Sequence, residues 1–377
     1  MDALRTDLLF MLLLILFLLL PYALVIIACS CVFVFRMSRL RKPEACESSP
    51  FSLVVCTSDA DAAMCARGLS PLYASLRECD EVIIVADHVG AAGLAELRRA
   101  ASVCGGAVAV VENERGRGKK NAQRCGVMMA RRSAVVCVDA DCSVGPGFAD
   151  ALGAVLSSFS GSHFMLLLPV AMCGSDSLFG RLVELEFGCL QVVTAGTAML
   201  GRPSMANGAG MAFDKQLYTG HDACERYASG DDMFLLAHAL RTGAVVRYLT
   251  SSAAVVSTVA PASLGAYLRQ RTRWLAKAGG YTDAGVVLLA LVVFAAVMAW
   301  PAAFGLAMSG LVSWGAASGV FVAKLLIDAS ACAAWLFFRC GLCGLASLWV
   351  ALPLELLYPF MTVTVSFRAL MADRARW

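Results

Sequence analysis

Two acidic motifs contain the residues of this chain best suited to chemistry. Asp139-Ala140-Asp141 follows an apolar run at residues 134–138, and Asp231-Asp232 lies further along the chain. Side chains two residues apart in extended backbone point to the same side, so Asp139 and Asp141 can engage one cation together. Their oxygen ligands favour Mg²⁺ or Mn²⁺, with a diphosphate completing the coordination.

Two further residues, together with Asp232 of the second motif, suit the binding and reaction of a diphosphate-linked ligand. Asp87 ends an apolar run and could accept a hydrogen bond from a base or a ribose. Lys119 belongs to a basic, glycine-rich segment at residues 115–121, which could meet phosphates or a sugar. Asp232 is the candidate general base, and Asp231 beside it is the second candidate catalytic residue. An adjacent carboxylate disfavours the ionised form of its neighbour, which makes that neighbour a stronger base.

The motif Gln270-Arg271-Thr272-Arg273-Trp274 precedes a strongly hydrophobic region. Arg273 could give a bidentate contact to a diphosphate. The aromatic ring of Trp274 could support a second bound molecule that accepts the transferred group. Basic and aromatic residues also anchor helices at a membrane interface, and acids also start helices or end strands. Each motif alone therefore has a structural explanation, and their joint presence favours chemistry. The four histidines show no metal-ligand spacing.

The residues between 43 and 258 alternate between short apolar runs and helical stretches. Strands are predicted at residues 51–57, 81–87, 107–112 and 134–139, with helices at 61–79, 90–103 and 119–132. This alternation predicts an α/β domain built from βαβ units around a parallel sheet. Such sheets bind ligands at the carboxyl ends of their strands, where Asp87, Asp139 and Asp141 lie.

The second half of this region has a less regular pattern. A strand is predicted at residues 163–170 and a long helix at 177–200. Residues 207–211 are predicted to form a tight glycine-rich connection. A helix at 231–241 and strands at 244–249 and 253–258 complete the region.

The N-terminal region is predicted to cross a membrane. The chain is 59% hydrophobic, with a mean hydropathy of +0.72, and residues 8–35 exceed the roughly 20 apolar residues that a span needs. Basic residues follow this segment, which places the N-terminus outside and the next domain in the cytosol. A cleaved signal peptide is the alternative, disfavoured by the long apolar core and the absence of a basic n-region.

The C-terminal region is predicted to return to the membrane. Residues 264–277 form an amphipathic pattern typical of an interfacial helix, and apolar segments follow at 285–308, 311–338 and 345–367. Lys324 and Asp328, one turn apart, could pair inside a helix bundle. Arginines near the C-terminus favour the cytosol, which conflicts with three crossings, so the number of spans stays open.

The cysteines and the net charge indicate the cellular compartment and the kinds of partner that the chain can bind. The 16 cysteines are scattered, which fits free thiols in a reducing compartment better than a disulfide framework. The net charge of +3 is modest and gives no nucleic-acid surface.

With Asp87, Asp139-Ala140-Asp141, Asp231-Asp232 and the Gln270, Arg273 and Trp274 motif in this order, the chain resembles membrane-bound glycosyltransferases of family 2 over residues 50–280. The resemblance implies the glycosyltransferase A fold, a Rossmann-like and mostly parallel sheet inserted between membrane helices. It implies inverting transfer from a nucleotide sugar with Mg²⁺ or Mn²⁺. Asp139 and Asp141 would hold the metal, and Asp232 would be the base.

The resemblance also bears on the acceptor. One N-terminal helix, a cytosolic domain and a few C-terminal helices are similar to the layout of ceramide glucosyltransferase, which implies a lipid or lipid-linked acceptor. A processive polysaccharide synthase, working as an oligomer or with an accessory subunit, is an alternative. A non-catalytic membrane scaffold is another, and a transporter fits poorly. Donor sugar, acceptor and oligomeric state stay open.

These interpretations predict four regions in an integral, multi-pass membrane protein. Residues 1–42 form the anchor, and residues 43–260 form the cytosolic catalytic domain. Residues 261–280 form the interfacial helix, and residues 281–377 form the C-terminal membrane region.

Overall fold

A computed structural model describes residues 15–38, 48–104, 108–114, 116–159, 161–220, 230–280 and 283–371. Several predicted features lie outside these ranges. They include the first part of the predicted N-terminal span, three basic residues after it, one residue of the basic segment, one of the four histidines and two arginines near the C-terminus: residues 8–14, Arg39, Arg41, Lys42, Arg115, His221, Arg374 and Arg376.

The chain divides into two compact units. The first, here the helical unit, comprises the described residues within 15–35, 174–200 and 261–371. The second, here the sheet unit, comprises the described residues within 36–173 and 201–260.

The sheet unit is built around a mixed seven-stranded sheet, in the order β3-β2-β1-β4-β8-β6-β9. Its strands are β1 Ser52–Ser58, β2 Glu81–Asp87, β3 Val108–Glu112, β4 Ala134–Asp139, β6 Phe164–Leu167, β8 Gly210–Asp214 and β9 Val245–Tyr248. Six strands run in one direction, and β8 is antiparallel to both β4 and β6. This is the predicted α/β fold with a mostly parallel sheet.

Helices lie between the strands of the sheet unit, four of them where the sequence pattern predicts a helix and two, Phe148–Leu156 and Lys215–Thr219, where it does not. They are α2 Ala62–Ala74, α3 Ala91–Val103, α4 Lys119–Met129, α5 Phe148–Leu156, α7 Lys215–Thr219 and α8 Asp231–Arg241, with a 3₁₀ turn at Ser157–Phe159. The strands β1, β2 and β4 are Val- and Ile-rich and buried along almost their whole length. Buried strands of this kind need helices on their faces, because neither face can contact water favourably.

A second, three-stranded sheet corrects two of the sequence predictions. It contains β5 Ser143–Val144, β7 Val170–Cys173 and β10 Val256–Val259. The predicted strand at residues 163–170 is therefore two strands in different sheets, divided at Pro169, which has no backbone N–H for a ladder. The predicted strand at 253–258 begins late, because Ser252–Ala254 forms a 3₁₀ turn.

Other predicted bounds also need correction. The glycine-rich connection at 207–211 is shorter than predicted, because β8 begins at Gly210 and inserts between β4 and β6. The helix predicted at 61–79 ends at Ala74, and the one predicted at 119–132 ends at Met129. In both cases, the residues that extend the amphipathic pattern lie in the connection that follows the helix.

The helical unit contains the hydrophobic helices. A π-helical turn at Ile15–Leu19 leads into α1 Leu20–Ser38, and the remaining helices are α6 Leu178–Met199, α9 Leu264–Leu275, α10 Ala284–Met308, α11 Trp314–Cys340 and α12 Ala351–Leu370. A 3₁₀ turn lies at Ala278–Gly280, and a longer one at Gly341–Val350 precedes α12. The start of the segment predicted at 345–367 is thus not α-helical.

In the part of the chain that the structure describes, four helical segments are long and apolar enough to cross a membrane. They are Phe17–Met37, Leu178–Met199, Ala284–Met308 and Trp314–Leu370. The second was predicted as a helix of the catalytic domain without a membrane role. Inside this unit, Lys324 Nζ lies 2.5 Å from Asp328 Oδ2 and 3.3 Å from Glu355 Oε2, which confirms the predicted pairing of Lys324 with Asp328.

Packing of α4 on the sheet depends on Gly126, and this gives a stability prediction. A Cβ at Gly126 would lie 2.4 Å from Val54 Cγ1 and 2.9 Å from Val85 Cγ2, both buried in the sheet. Gly126→Ala should therefore destabilise the sheet unit by about 1–3 kcal/mol, the usual effect of overpacking. Urea or thermal unfolding in detergent measures the change.

Gly68, in the middle of α2, is the matched control. A Cβ there meets no heavy atom within 4 Å, so Gly68→Ala should be neutral or stabilise by up to about 1 kcal/mol through helix propensity. Equal stability of the Gly126→Ala and Gly68→Ala proteins would show that α4 does not pack on β1 and β2 as described.

Candidate active site

Three parallel strands bring the predicted acids to one edge of the sheet. Asp87 is the last residue of β2 and Asp139 the last residue of β4, and β1 lies between these two strands. In the β1 register, Ser58 is opposite Asp87 and Cys56 is opposite Asp139. The carboxyl ends of these strands therefore place both acids at the same edge, where α/β sheets bind ligands.

Asp87 holds the loop that leads into α4. Its Oδ1 accepts a hydrogen bond from Asn113 Nδ2 at 2.9 Å and lies 2.9 Å from His88 Nδ1, and its Oδ2 accepts from the Gly118 backbone N–H at 2.8 Å. Gly118 has φ +105°, a conformation that glycine adopts without strain. Asp87 therefore fixes the backbone immediately before Lys119.

The pKa of Asp87 is lowered from its ordinary value. Partial burial works in the opposite direction, but the hydrogen bonds from His88, Asn113 and the Gly118 N–H stabilise the anion and outweigh it. Asp87 is therefore ionised at neutral pH, and its anion is the form that holds the loop.

Lys119 and Asp139 form an ion pair at the start of α4. The Lys119 ammonium contacts Asp139 Oδ1, and both side chains are partly exposed. Burial opposes the charge on Lys119, but the carboxylates of Asp139, Asp231 and Asp232 raise its pKa above its ordinary value. The lysine is therefore a stable cation among the predicted catalytic acids.

Asp141 lies on the turn after β4 and is held from another strand. Thr258 Oγ1, in β10, donates a hydrogen bond to Asp141 Oδ2 at 3.0 Å. Cys142 Sγ lies 3.6 Å from Asp141 Oδ1. The second acid of the Asp-X-Asp motif is thus oriented by the small sheet, which the sequence pattern alone did not place beside it.

The Asp231-Asp232 pair begins α8 and returns to the same edge. Asp232 Oδ2 accepts a hydrogen bond from the Gly208 N–H at 2.9 Å, and Asp231 Oδ1 lies 3.6 Å from Lys120 Nζ. A Cβ on Gly208 would lie 3.6 Å from both Asp232 Oδ2 and Lys119 Nζ. Gly208 therefore lies beside both the Asp232 carboxylate and the Lys119 ammonium group.

The donor set at this edge suits a hard divalent cation. Asp139 and Asp141 supply carboxylate oxygens, the ligands that Mg²⁺ and Mn²⁺ prefer. Among the described residues, no group of three or more His, Cys, Asp or Glu side chains is close enough to hold a metal by itself. Within the described part of the chain, a cation bound to the two aspartates would therefore take its further ligands from water or from a substrate.

The residues predicted from the Gln270-Arg271-Thr272-Arg273-Trp274 motif lie in the other unit. They belong to α9 of the helical unit, in which Arg273 is exposed and Gln270 and Trp274 are half-buried. The sheet unit brings together Asp87, Lys119, Asp139, Asp141, Asp231 and Asp232. A role of the α9 residues in the same site stays a prediction.

Three residues with direct contacts at the site are not among the predicted site residues, and a fourth, Lys120, is predicted only as part of the basic segment at 115–121. Asn113 and Thr258 hold Asp87 and Asp141, Lys120 pairs with Asp231, and the Gly208 N–H binds Asp232. Asn113 and Lys120 carried a usable signal, since one follows β3 directly and the other lies in the basic segment. Thr258 carried none, because its contact depends on β10 joining a different sheet.

Comparison with known proteins gives one family match. A family model described as glycosyltransferase like family 2 matches residues 49–276, which is more than half of the chain. No curated protein matches the chain.

Solved structures show a distant likeness. The mannosyltransferase PcManGT from Pyrobaculum calidifontis, in complex with GDP-Man and Mn²⁺, is 18% identical, with a TM-score of 0.49, and the match covers 93% of this chain and 95% of that one. Glucosyl-3-phosphoglycerate synthase from Mycobacterium tuberculosis, in complex with Mn²⁺, UDP and glucosyl-3-phosphoglycerate, is 19% identical, with a TM-score of 0.39, and the match covers 63% of this chain and 82% of that one. At these TM-scores the likeness assigns no ligand to this chain.

The hydrogen bonds of Asp87 predict that the loop before α4 loses stability at low pH. Because the folded-state pKa of Asp87 is lowered, its contribution to stability is present above the ordinary carboxyl pKa and is lost as the pH falls through the lowered value. At neutral pH, Asp87→Asn should cost about 1–3 kcal/mol and speed amide exchange in residues 113–118, measured by hydrogen exchange with mass spectrometry.

Asp59→Asn is the control for this loop. Asp59 Oδ1 accepts a hydrogen bond from the Gly90 N–H at 2.8 Å, so this change should affect Gly90 and leave residues 113–118 protected. Unchanged exchange of residues 113–118 in Asp87→Asn would contradict the role given to Asp87.

Proposed function

Since the chain belongs to the glycosyltransferase like family 2, we propose that it moves a sugar from a nucleotide-sugar donor to a lipid or lipid-linked acceptor at a membrane. One observation supports this reading most directly. The ends of β2 and β4, the start of α4 and the start of α8 converge on a single edge that carries the predicted metal ligands, a lysine and the predicted base.

A divalent cation on Asp139 and Asp141 would supply stabilisation of the negative charge that develops on the departing diphosphate. Asp141 is oriented by Thr258, which leaves its carboxylate fixed at the turn after β4. Asp139 pairs with Lys119, so the lysine keeps this carboxylate compensated when the site binds nothing else. We propose that Lys119 turns toward the donor phosphates when the donor binds.

Asp232 is the proposed general base. The hydrogen bond from the Gly208 N–H fixes its Oδ2, and its Oδ1 accepts from the backbone N–H of Met233 at 2.8 Å. A carboxylate held in this way keeps one orientation and can take a proton from an acceptor hydroxyl that approaches it. Asp231 sits beside it, paired with Lys120, and we propose that it supports Asp232 from there.

The remaining donor contacts are proposed for Asp87 and for α9. Asp87 would contact the base or ribose from the loop that it holds, while Gln270, Arg273 and Trp274 would contact the diphosphate and the acceptor. Exposure of the Arg273 side chain supports this role, because a bidentate guanidinium contact needs an accessible guanidinium group.

A membrane setting is supported by three helical segments outside the proposed catalytic domain that are long and apolar enough to cross a bilayer: Phe17–Met37, Ala284–Met308 and Trp314–Leu370. We propose an integral, multi-pass protein whose N-terminus is outside and whose catalytic domain, residues 43–260, is cytosolic. Residues 261–280 would lie at the interface, where an acceptor with a lipid tail is presented. The few candidate spans favour a lipid acceptor over a secreted polymer, which needs a walled polar channel.

The proposed function predicts turnover with a nucleotide-sugar donor. Detergent-solubilised protein with Mn²⁺ and membrane lipids should release UDP or GDP from one donor of a panel. Asp232→Asn should lower kcat about a hundredfold or more, because it removes the base and keeps the shape. Asp141→Asn should lower turnover and raise the Mn²⁺ concentration required, because it removes a metal ligand. Coupled nucleotide-release assays measure both.

Asp150→Asn is the matched control, since Asp150 is an exposed acid in the first turn of α5. It should keep wild-type turnover. Turnover by Asp232→Asn at the wild-type rate would contradict the role of the base, and absence of both binding and turnover with every donor would contradict the proposed enzyme.

A further inference from the structure

Two arginines of the α9 motif have opposite surroundings. Arg271 is buried, with 7% of its side chain exposed, whereas Arg273 is exposed. Residues two apart on an α-helix point about 200° apart around its axis, so one of the two must face inward when the other faces outward. The motif therefore contains one arginine that packs inside the helical unit and one that does not.

Glu186 of α6 holds the buried arginine. The Arg271 Nη2 contacts Glu186 Oε2, and Arg271 Nε donates to Glu186 Oε1 at 3.2 Å. Tyr267 Oη donates to the same Oε1 at 3.4 Å. Both partners of this ion pair are more than nine-tenths buried, so the loss of one would leave an uncompensated buried charge.

The guanidinium of Arg271 also lies against the aromatic ring of Trp274. Its Cζ is 4.3 Å from the centroid of the Trp274 ring and 4.8 Å from that of Tyr267. Phe187, next to Glu186 on α6, lies against Trp274 with ring centroids 6.0 Å apart. The tryptophan is thus held between a fixed cation and a fixed ring, and part of it stays accessible.

We propose that Arg271 is a positioning residue, which together with Glu186 fixes the Trp274 ring and leaves Arg273 as the arginine of the motif that meets a ligand. This inference rests on the proposed function for its catalytic consequence, but not for the placement of the ring. A planar guanidinium stacks on an indole and binds a carboxylate at two points, which an ammonium group cannot do. The position of the ring should therefore depend on arginine itself and not only on its charge.

Fluorine NMR of the full-length protein in detergent tests this placement. The chain contains six tryptophans, and labelling with 5-fluorotryptophan gives each a resonance, with Trp274→Phe identifying the one from Trp274. Arg271→Lys should move the Trp274 resonance by more than its linewidth and leave the other five in place. Glu186→Gln should move the same resonance by a smaller amount. Arg269→Lys is the matched control, because Arg269 is an exposed arginine on the same helix, and it should move none.

A Trp274 resonance that stays in place in both Arg271→Lys and Glu186→Gln would overturn the proposal. Movement of all six resonances together in both variants would also overturn it, since that result describes general packing. If Arg271→Lys does not fold, Glu186→Asp decides in its place, because aspartate keeps the negative charge that compensates Arg271 while shortening its reach to the guanidinium. A Trp274 resonance that stays in place in Glu186→Asp would then overturn the proposal.

A kinetic measurement separates this proposal from the proposed function. With the donor that wild type turns over, Arg271→Lys should lower kcat about tenfold, because a displaced Trp274 ring would misalign the acceptor with the donor. The donor KM should stay within about twofold of wild type, because Arg271 itself contacts no ligand. A rise in donor KM with unchanged kcat would overturn the positioning role. Failure of wild type to bind UDP or GDP with Mn²⁺ contradicts the proposed function, whereas the resonances still decide the placement of Trp274.

Discussion

The candidate site depends on the balance of charge between aspartates and lysines at one edge of the sheet. Carboxylates that converge in partly buried surroundings repel one another, and cations placed among them offset that repulsion. Lys119 and Lys120, the first two residues of α4, supply those cations to Asp139 and Asp231. The start of α4 must therefore be fixed in place, and Asp87 fixes it through the Gly118 N–H.

This constraint explains why residues far apart in sequence depend on each other. Asp87 holds the loop that precedes α4, and the lysines begin α4 itself, which packs on β1 and β2 at Gly126. Asp232 is held by the Gly208 backbone N–H. A divalent cation beside Asp139 and Asp141 would add positive charge where Lys119 already lies. We therefore expect a metal ion to bind at these aspartates as Lys119 moves toward a phosphate, because each event changes the net charge around Asp139.

Much of the fold could be predicted from the sequence, and particular elements show why. The strands at Glu81–Asp87 and Ala134–Asp139 have the predicted bounds, because each is a buried apolar run that ends at an acid. The helix Asp231–Arg241 also has the predicted bounds, since its acids favour an N-terminus. Family membership and the glycosyltransferase activity were likewise predictable, because four motifs occur in order.

What could not be predicted depends on contacts between distant segments. The strand Gly210–Asp214 looked like a turn because glycines dominate its start, and only its place between β4 and β6 makes it a strand. Thr258 reaches Asp141 only because Val256–Val259 joins the small sheet. The sequence motif singles out Arg273, but only the buried Glu186 on another helix shows that Arg271 packs inside the helical unit. Local propensity contains none of this information.

The most direct test of the account is a calorimetric titration of the full-length protein with UDP and GDP, with and without Mn²⁺. Only two aspartates are proposed as metal ligands, and the described residues contain no complete metal site. One nucleotide should therefore bind tightly only with Mn²⁺, Mn²⁺ should bind tightly only with that nucleotide, and Asp141→Asn should weaken both because it removes a metal ligand. Nucleotide binding that is indifferent to Mn²⁺, or full Mn²⁺ affinity without nucleotide, would contradict the account.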